Sequence, residues 1–241
     1  MSKTIVIFGA GTGLGAATAR RFGREGYAIG LVARRQGPLD ELAATLDKEG
    51  IEAAVFPADL SDTAAAPALV ERISERFRRI DVVEYAPVSS GTDAVRPASQ
   101  LSADFLRPHA NLLLHTPVEI ARAVLPQMIE RGNGGFLLGI GLSAVTPSAL
   151  PGLGGATSVM AAARHWMHGL HSELADKGVY AGTLAIGAMI EGSLAHQEAS
   201  EAGSTFSGMP VVSAAHLADL YWDMLTKRDQ TEQLFPSPTG P

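Results

Sequence analysis

The chain has 241 residues, a formal net charge of −6, seven histidines and no cysteine. That length suits one α/β domain with a sizeable core. The acidic balance speaks against a nucleic-acid surface, and the missing cysteines remove disulfides, thiolate catalysis and cysteine metal sites. No apolar run reaches membrane-spanning length, and residues 3–8 enter a strand directly with no cleavable leader pattern, so the expectation is a soluble, cytoplasmic, single-domain protein spanning residues 1–241.

Residues 3–8 are apolar and rich in β-branched side chains, the pattern of a buried strand. Gly9, Gly11, Gly13 and Gly15 break that strand, and residues 16–22 resume with a helical period. A strand that turns through glycines into a helix aims free backbone N–H groups, and the positive end of the helix dipole, at one spot that suits a phosphate. Glycine serves because such a turn takes angles closed to other residues and because a diphosphate has to approach the main chain. With a further strand at 27–33, the run Gly9-Ala10-Gly11-Thr12-Gly13-Leu14-Gly15 meets the context of a dinucleotide-binding turn. The alternative is a glycine-rich turn that binds nothing.

The strand at 27–33 ends at Arg34-Arg35, and Gly37-Pro38 opens a helix over 39–48 that Gly50 stops. A third strand, 51–57, ends in Asp59-Leu60. Residues 63–78 read as a helix with Leu69, Ile73 and Phe77 on its apolar face, and 81–85 as a fourth strand interrupted by Pro87. After a polar loop at 89–100, a long helix over roughly 102–131 is bent or divided at Pro108 and Pro117. Then come a strand at 136–140, a loop at 143–154, a helix at 155–177 and a strand at 179–186. A Gly/Ser-rich excursion (188–210), a capped helix (213–227), a short strand (234–235) and a Pro-rich tail (236–241) complete the chain. Strands alternating with helices at this spacing imply right-handed βαβ units and a sheet covered on both faces. The fold class is therefore α/β: a Rossmann-type, doubly wound three-layer sandwich with a mostly parallel sheet and ligands at the carboxyl ends of its strands.

The end of the second strand discriminates between nicotinamide cofactors. An acid there would bond the ribose 2′-OH, whereas arginine accommodates a 2′-phosphate. Arg34 and Arg35 stand there, with no acid before Asp40, which predicts NADP(H). The alternative is two solvated arginines at a loop start.

With these residues placed, the chain resembles the short-chain dehydrogenase/reductase family along nearly its whole length. The resemblance rests on the glycine run 9–15, Arg34-Arg35, Asp59-Leu60, Asp81-Val82-Val83, Asn111-Leu112, Leu125-Pro126, Ser143, Glu173-Leu174 and Gly187. It implies cofactor contacts from Gly9, Gly11, Thr12, Gly13, Leu14, Gly15, Arg34, Arg35, Asp59, Leu60, Ala86 and Gly187, with Asp59-Leu60 at the adenine. It implies that Asn111 holds a proton-relay water and that Ser143 polarises a substrate carbonyl. It also implies a homodimer or homotetramer, joined through the helices around 102–131 and 155–177, and a substrate loop over 188–212.

The resemblance fails where the family keeps a tyrosine and, four residues on, a lysine: those positions are Ala156 and Met160, and nowhere in the chain does a tyrosine precede a lysine by four. The family's Asn-Asn-Ala-Gly reads Tyr85-Ala86-Pro87-Val88, its Pro-Gly reads Ile186-Gly187, and an expected threonine is Glu191. Alanine cannot titrate and methionine carries no charge. Tyr85 and His115 are candidate substitute acids, each with packing as the alternative; Arg164, one turn beyond Met160, is a candidate replacement charge. His165, His168 and His171 diverge too far around a helix for a shared metal, so none is expected. Glu191, Glu198 and Glu201 are candidate substrate contacts, and Met189, Phe206 and Met209 candidate lid residues. Two functions follow: an NADP(H)-dependent oxidoreductase reducing a small carbonyl-type substrate by non-standard proton donation, or a non-catalytic NADP(H)-binding sensor or partner subunit of an active homologue.

Overall fold

A computed structural model describes residues 2–88, 96–146, 154–193, 196–197 and 209–237. In chain order its main elements are β1 (Thr4–Phe8), α1 (Leu14–Arg24), β2 (Ala28–Ala33), α2 (Gln36–Lys48), β3 (Ala53–Pro57), α3 (Ala66–Phe77) and β4 (Val82–Tyr85). There follow α4 (Ala103–Ala110), α5 (Thr116–Glu130), β5 (Gly134–Gly141), α6 (Gly154–Leu174), β6 (Val179–Ile186), β7 (Met189–Ile190), β8 (Val211–Val212), α7 (Ala214–Lys227) and β9 (Glu232–Phe235). Seven strands form one sheet in the order β3-β2-β1-β4-β5-β6-β9, every neighbouring pair parallel, and β7 pairs with β8 apart from it. The order runs outward in both directions from β1 and β4, the doubly wound arrangement whose switch point lies where these two strands end.

Strand periodicity sorts the core into two layers. Val6 and Phe8 of β1 face α3, α5 and α6, whereas Ile5 and Ile7 face α1 and α7. Each such side chain is worth about 1.5–3 kcal/mol when fully buried. Phe22 of α1 meets Tyr27 and Trp222 of α7 edge-on, at 5.4 and 5.3 Å between ring centres. Asp81 ties the strand starts together: its carboxylate accepts the Thr4 N–H at 2.9 Å and pairs with Arg79.

Local chemistry explains where the elements depart from expectation. The second helix begins at Gln36, because Gly37 and Pro38 fit in a first turn whose N–H groups need no partner. Ser213 occupies the N-cap of α7, but its hydroxyl makes no capping bond. The long helix is divided between its prolines: Pro108 lies inside α4, Pro117 in the first turn of α5, and Asn111–His115 form a π-helical turn. Pro117 has no N–H for the carbonyl four residues earlier, and the Thr116 N–H reaches back five residues to the Asn111 carbonyl. That shift deprives the Leu112 carbonyl of its ordinary partner, Thr116. β7 and β8 are two residues each, too short for a sequence pattern to mark.

Candidate functional site

The glycine turn is built around two close approaches. Gly9 has φ +99°, and a Cβ there would stand 2.8 Å from the backbone of Pro87, so only glycine lets the turn pass beneath the end of β4. The N–H groups of Gly9 and Ala10 both donate to the Val32 carbonyl at 2.9 Å, fixing the turn to β2. Gly13 is the N-cap of α1, which has no side-chain cap and no acid in its first turn. The uncapped N–H groups and helix dipole therefore stay available for an anion. Residues 190–193 strap this cradle: Thr12 Oγ1 donates to the Gly192 carbonyl at 2.7 Å, and Ser193 packs on Gly13 where a Cβ would lie 3.0 Å from it.

Beyond β2, Arg34 and Arg35 are exposed. Asp59 accepts from the Ser61 N–H at 2.9 Å and the Ser61 hydroxyl at 2.8 Å; these bonds, with Arg34 nearby, hold its carboxyl below the usual carboxylate range. A cleft of about 180 Å³ opens beside it, lined by Pro57, Ala58, Asp59, Leu60, Leu69 and Thr116. An uncapped helix start after β1, exposed guanidinium groups after β2 and a cleft after β3 fit a dinucleotide carrying an extra phosphate.

The other half of the strand edge is differently furnished. Ser143 follows β5, and its Oγ lies 3.1 Å from Thr157 Oγ1 on α6. Met160 Sδ accepts the Gly141 N–H at 3.4 Å. Ala156 and Met160 thus bring no titrating group here. Gly187 donates its N–H to the Phe235 carbonyl at 2.6 Å, and Ala86 donates to the Phe8 carbonyl at 3.1 Å. Asn111 Oδ1 lies 3.0 Å from Nδ1 of the exposed His115. The Asn111 carbonyl accepts the Thr116 N–H.

Several candidates are engaged elsewhere. Tyr85 is 1% exposed and donates its hydroxyl to the Leu112 carbonyl that the π turn frees; burial pushes its phenol well above the ordinary value. It is a packing residue, not a free acid. Arg164 is committed to Glu232 through two bonds, at 2.6 and 2.8 Å. His171 Nδ1 lies 2.7 Å from the Ala181 carbonyl, His168 lies 3.4 Å from Glu232, and His165 is exposed. Glu198, Glu201 and Phe206 lie outside the described residues.

The family model for short chain dehydrogenase matches residues 3–202. The chain belongs to the short-chain dehydrogenase family. It is 27% identical to a fatty acyl-CoA reductase of Mycobacterium tuberculosis over 236 residues, 97% of this chain and 76% of the relative. It is 31% identical to a serine 3-dehydrogenase of Agrobacterium fabrum over 232 residues, 92% of this chain and 88% of the relative. Among solved structures it is similar to a short-chain dehydrogenase of Sphingobium yanoikuyae in complex with NADPH, with a TM-score of 0.81 and 24% identity over 98% of this chain and 89% of that one.

Against that family pattern, two local features escaped the sequence reading. Thr157 of α6 meets Ser143; its signal was a hydroxyl beside Ala156. Glu84, an acid within the apolar run of β4, is 1% exposed, and its Oε1 has no partner among the described residues. Burial raises its carboxyl to about 8, and the buried Tyr221, whose hydroxyl also lacks a partner among the described residues, is pushed well above the ordinary phenol value by burial and then by Glu84.

Proposed function

We propose that this short-chain dehydrogenase is an NADP(H)-dependent oxidoreductase that reduces a small carbonyl-type substrate. The observation that carries the reading is the uncapped start of α1 behind Gly9 and Gly13, with Arg34 and the Asp59 cleft in line with it. The N–H groups at the start of α1 would take the diphosphate, Asp59 and Leu60 the adenine, and Arg34 with Arg35 the 2′-phosphate. NADPH, when bound, supplies the hydride. Ser143 donates its hydroxyl to the substrate oxygen and orients the carbonyl, with Met160 and Leu142 as apolar walls. With Tyr85 sealed beneath the π turn, the proton comes from His115, beside Asn111, or from water at the mouth. NADPH-bound solved relatives support the cofactor assignment by analogy of fold.

The test is a carbonyl and imine screen followed through NADPH absorbance. Turnover lost in Ser143→Ala with NADPH affinity kept supports the reading; turnover indifferent to Ser143 contradicts it. A His115→Gln variant that keeps full turnover assigns the proton to water. The second reading, a non-catalytic NADP(H)-binding sensor or partner, is favoured by Ala156 and Met160; it predicts tight NADPH binding with no turnover across the panel. We further propose self-association through α4, α5 and α6; on α6 alone an open cavity of about 490 Å³ is lined by His165, Trp166, His168 and Leu170.

A further inference from the structure

Where β5 runs out against α6, the chain gathers hydrogen-bond donors with little for them to donate to. Ser143 Oγ and Thr157 Oγ1 are 3.1 Å apart, so in the free protein one hydroxyl donates to the other. The Gly141 N–H ends on the Met160 thioether at 3.4 Å, a weak acceptor that an oxygen outcompetes. A Cβ on Gly141 would lie 3.3 Å from Ser143 Oγ and 3.5 Å from Met160 Cε, so Gly141, Ser143 and Met160 are neighbours, and Thr157 joins them through Ser143. Ala156 and Thr157 are both only partly buried, and Ala156 brings no polar atom of its own side chain to the spot. Alcohol hydroxyls and an amide hold a negative oxygen well, but they do not discharge a proton to it near neutral pH.

We propose that the Gly141 N–H and the Ser143 and Thr157 hydroxyls form an oxyanion site for a delocalised oxygen anion of the enolate or phenolate class, Thr157 being its second hydroxyl donor. The inference rests on the reading of Ser143 as the residue that holds the substrate oxygen, and it names the substrate class: a carbonyl conjugated to a carbon–carbon double bond. Reduction of an isolated ketone leaves a localised alkoxide, a strong base that demands an acid. In a conjugated carbonyl, hydride from NADPH adds to the β-carbon, the π electrons collect on oxygen as an enolate, and a solvent proton adds to the α-carbon, the hydroxide left by the donating water being neutralised by buffer. The products are the saturated carbonyl and NADP⁺. An enolate spreads its charge over carbon and oxygen, so hydrogen bonds alone suffice to hold it.

The probe is 4-nitrophenol, titrated by absorbance against the nucleotide-free protein across neutral pH. The bound probe is expected as the anion, its ionisation moved down by about one pH unit for a tenfold preference. Thr157→Val should weaken anion binding about tenfold, the loss of one hydrogen bond to a charged group, and Thr157→Ser should restore it. A bound probe that ionises as it does in water, or a Thr157→Val protein that binds like wild type, overturns the proposal. NADPH titrated into the same proteins separates the two readings. Phenolate binding without NADPH binding sinks the cofactor assignment and leaves the oxyanion site standing. NADPH binding without phenolate selectivity does the reverse.

Discussion

The two halves of the strand edge differ in what holds them. From β1 to β3 the site is built mainly of backbone: a glycine turn fixed to Val32, an uncapped helix start and a cleft beside Asp59, with Arg34, Arg35 and the Asp59 carboxylate as charged side chains. From β4 to β6 the site depends on side chains: the Ser143 hydroxyl beside that of Thr157, and the Met160 thioether against the Gly141 N–H. Backbone geometry restricts replacement by steric clash, whereas a side-chain function can vanish without disturbing the packing around it. The fold can therefore keep a nucleotide cradle intact while the chemistry beside it changes.

The sharpest way to break the backbone half is Gly9→Val. Its side chain would meet Pro87 at a positive φ, so a stability loss of about 3 kcal/mol or more is expected in urea unfolding, together with loss of nucleotide binding. Gly11→Ala, where no heavy atom outside the chain neighbours lies nearer than 3.8 Å, should unfold within about 0.5 kcal/mol of wild type. Equal losses at both positions would contradict the steric account.

Glu84 offers the next largest effect. Its carboxyl is raised from an ordinary 4.5 to about 8, so the folded chain keeps a proton that the unfolded chain releases earlier. Stability should therefore be fullest below pH 4.5 as far as this group is concerned, and fall as the pH climbs toward 8, by about 1.4 kcal/mol per pH unit at the steepest. Denaturant midpoints from pH 5 to 9 should lose that slope in Glu84→Gln, which should be the more stable protein at pH 8. An unchanged slope places the pH dependence elsewhere.

The smallest effect sharpens the side-chain half. Tyr85→Phe removes the hydroxyl that satisfies Leu112, at a cost of about 1–3 kcal/mol for a buried carbonyl left unpaired. Turnover, where a substrate is found, should be unchanged per folded molecule; a specific loss of turnover would return Tyr85 to the list of acids.

Much of this contrast was legible in the sequence, because the backbone half writes itself in strong signals. The apolar run before Gly9, the glycines themselves, Arg34-Arg35 and the alternation of strand and helix all follow from local conformational rules, and the doubly wound sheet follows from them. The site beyond β4 was less legible, since its details are tertiary. Pro108 and Pro117 announced a break, but its location as a π turn depends on where Thr116 finds a carbonyl, and that turn is what engages Tyr85. Thr157 gains meaning only when α6 brings it to Ser143. Glu84 was visible as an acid in an apolar strand, yet the burial of its Oε1 with no partner among the described residues emerges only when α7 brings Tyr221 beside it.

The central claim, that the backbone half still binds a phosphorylated nicotinamide nucleotide, is tested by parallel calorimetric titrations of the wild-type protein and Arg34→Ala with NADPH, NADH and NADP⁺. The account predicts NADPH and NADP⁺ binding in the micromolar range or tighter, weakened roughly tenfold or more by Arg34→Ala as a charge-assisted phosphate contact is lost, with NADH affinity unaffected by the substitution. Binding of none of the three nucleotides to the folded wild-type protein, or NADPH affinity equal in the two proteins, would contradict it.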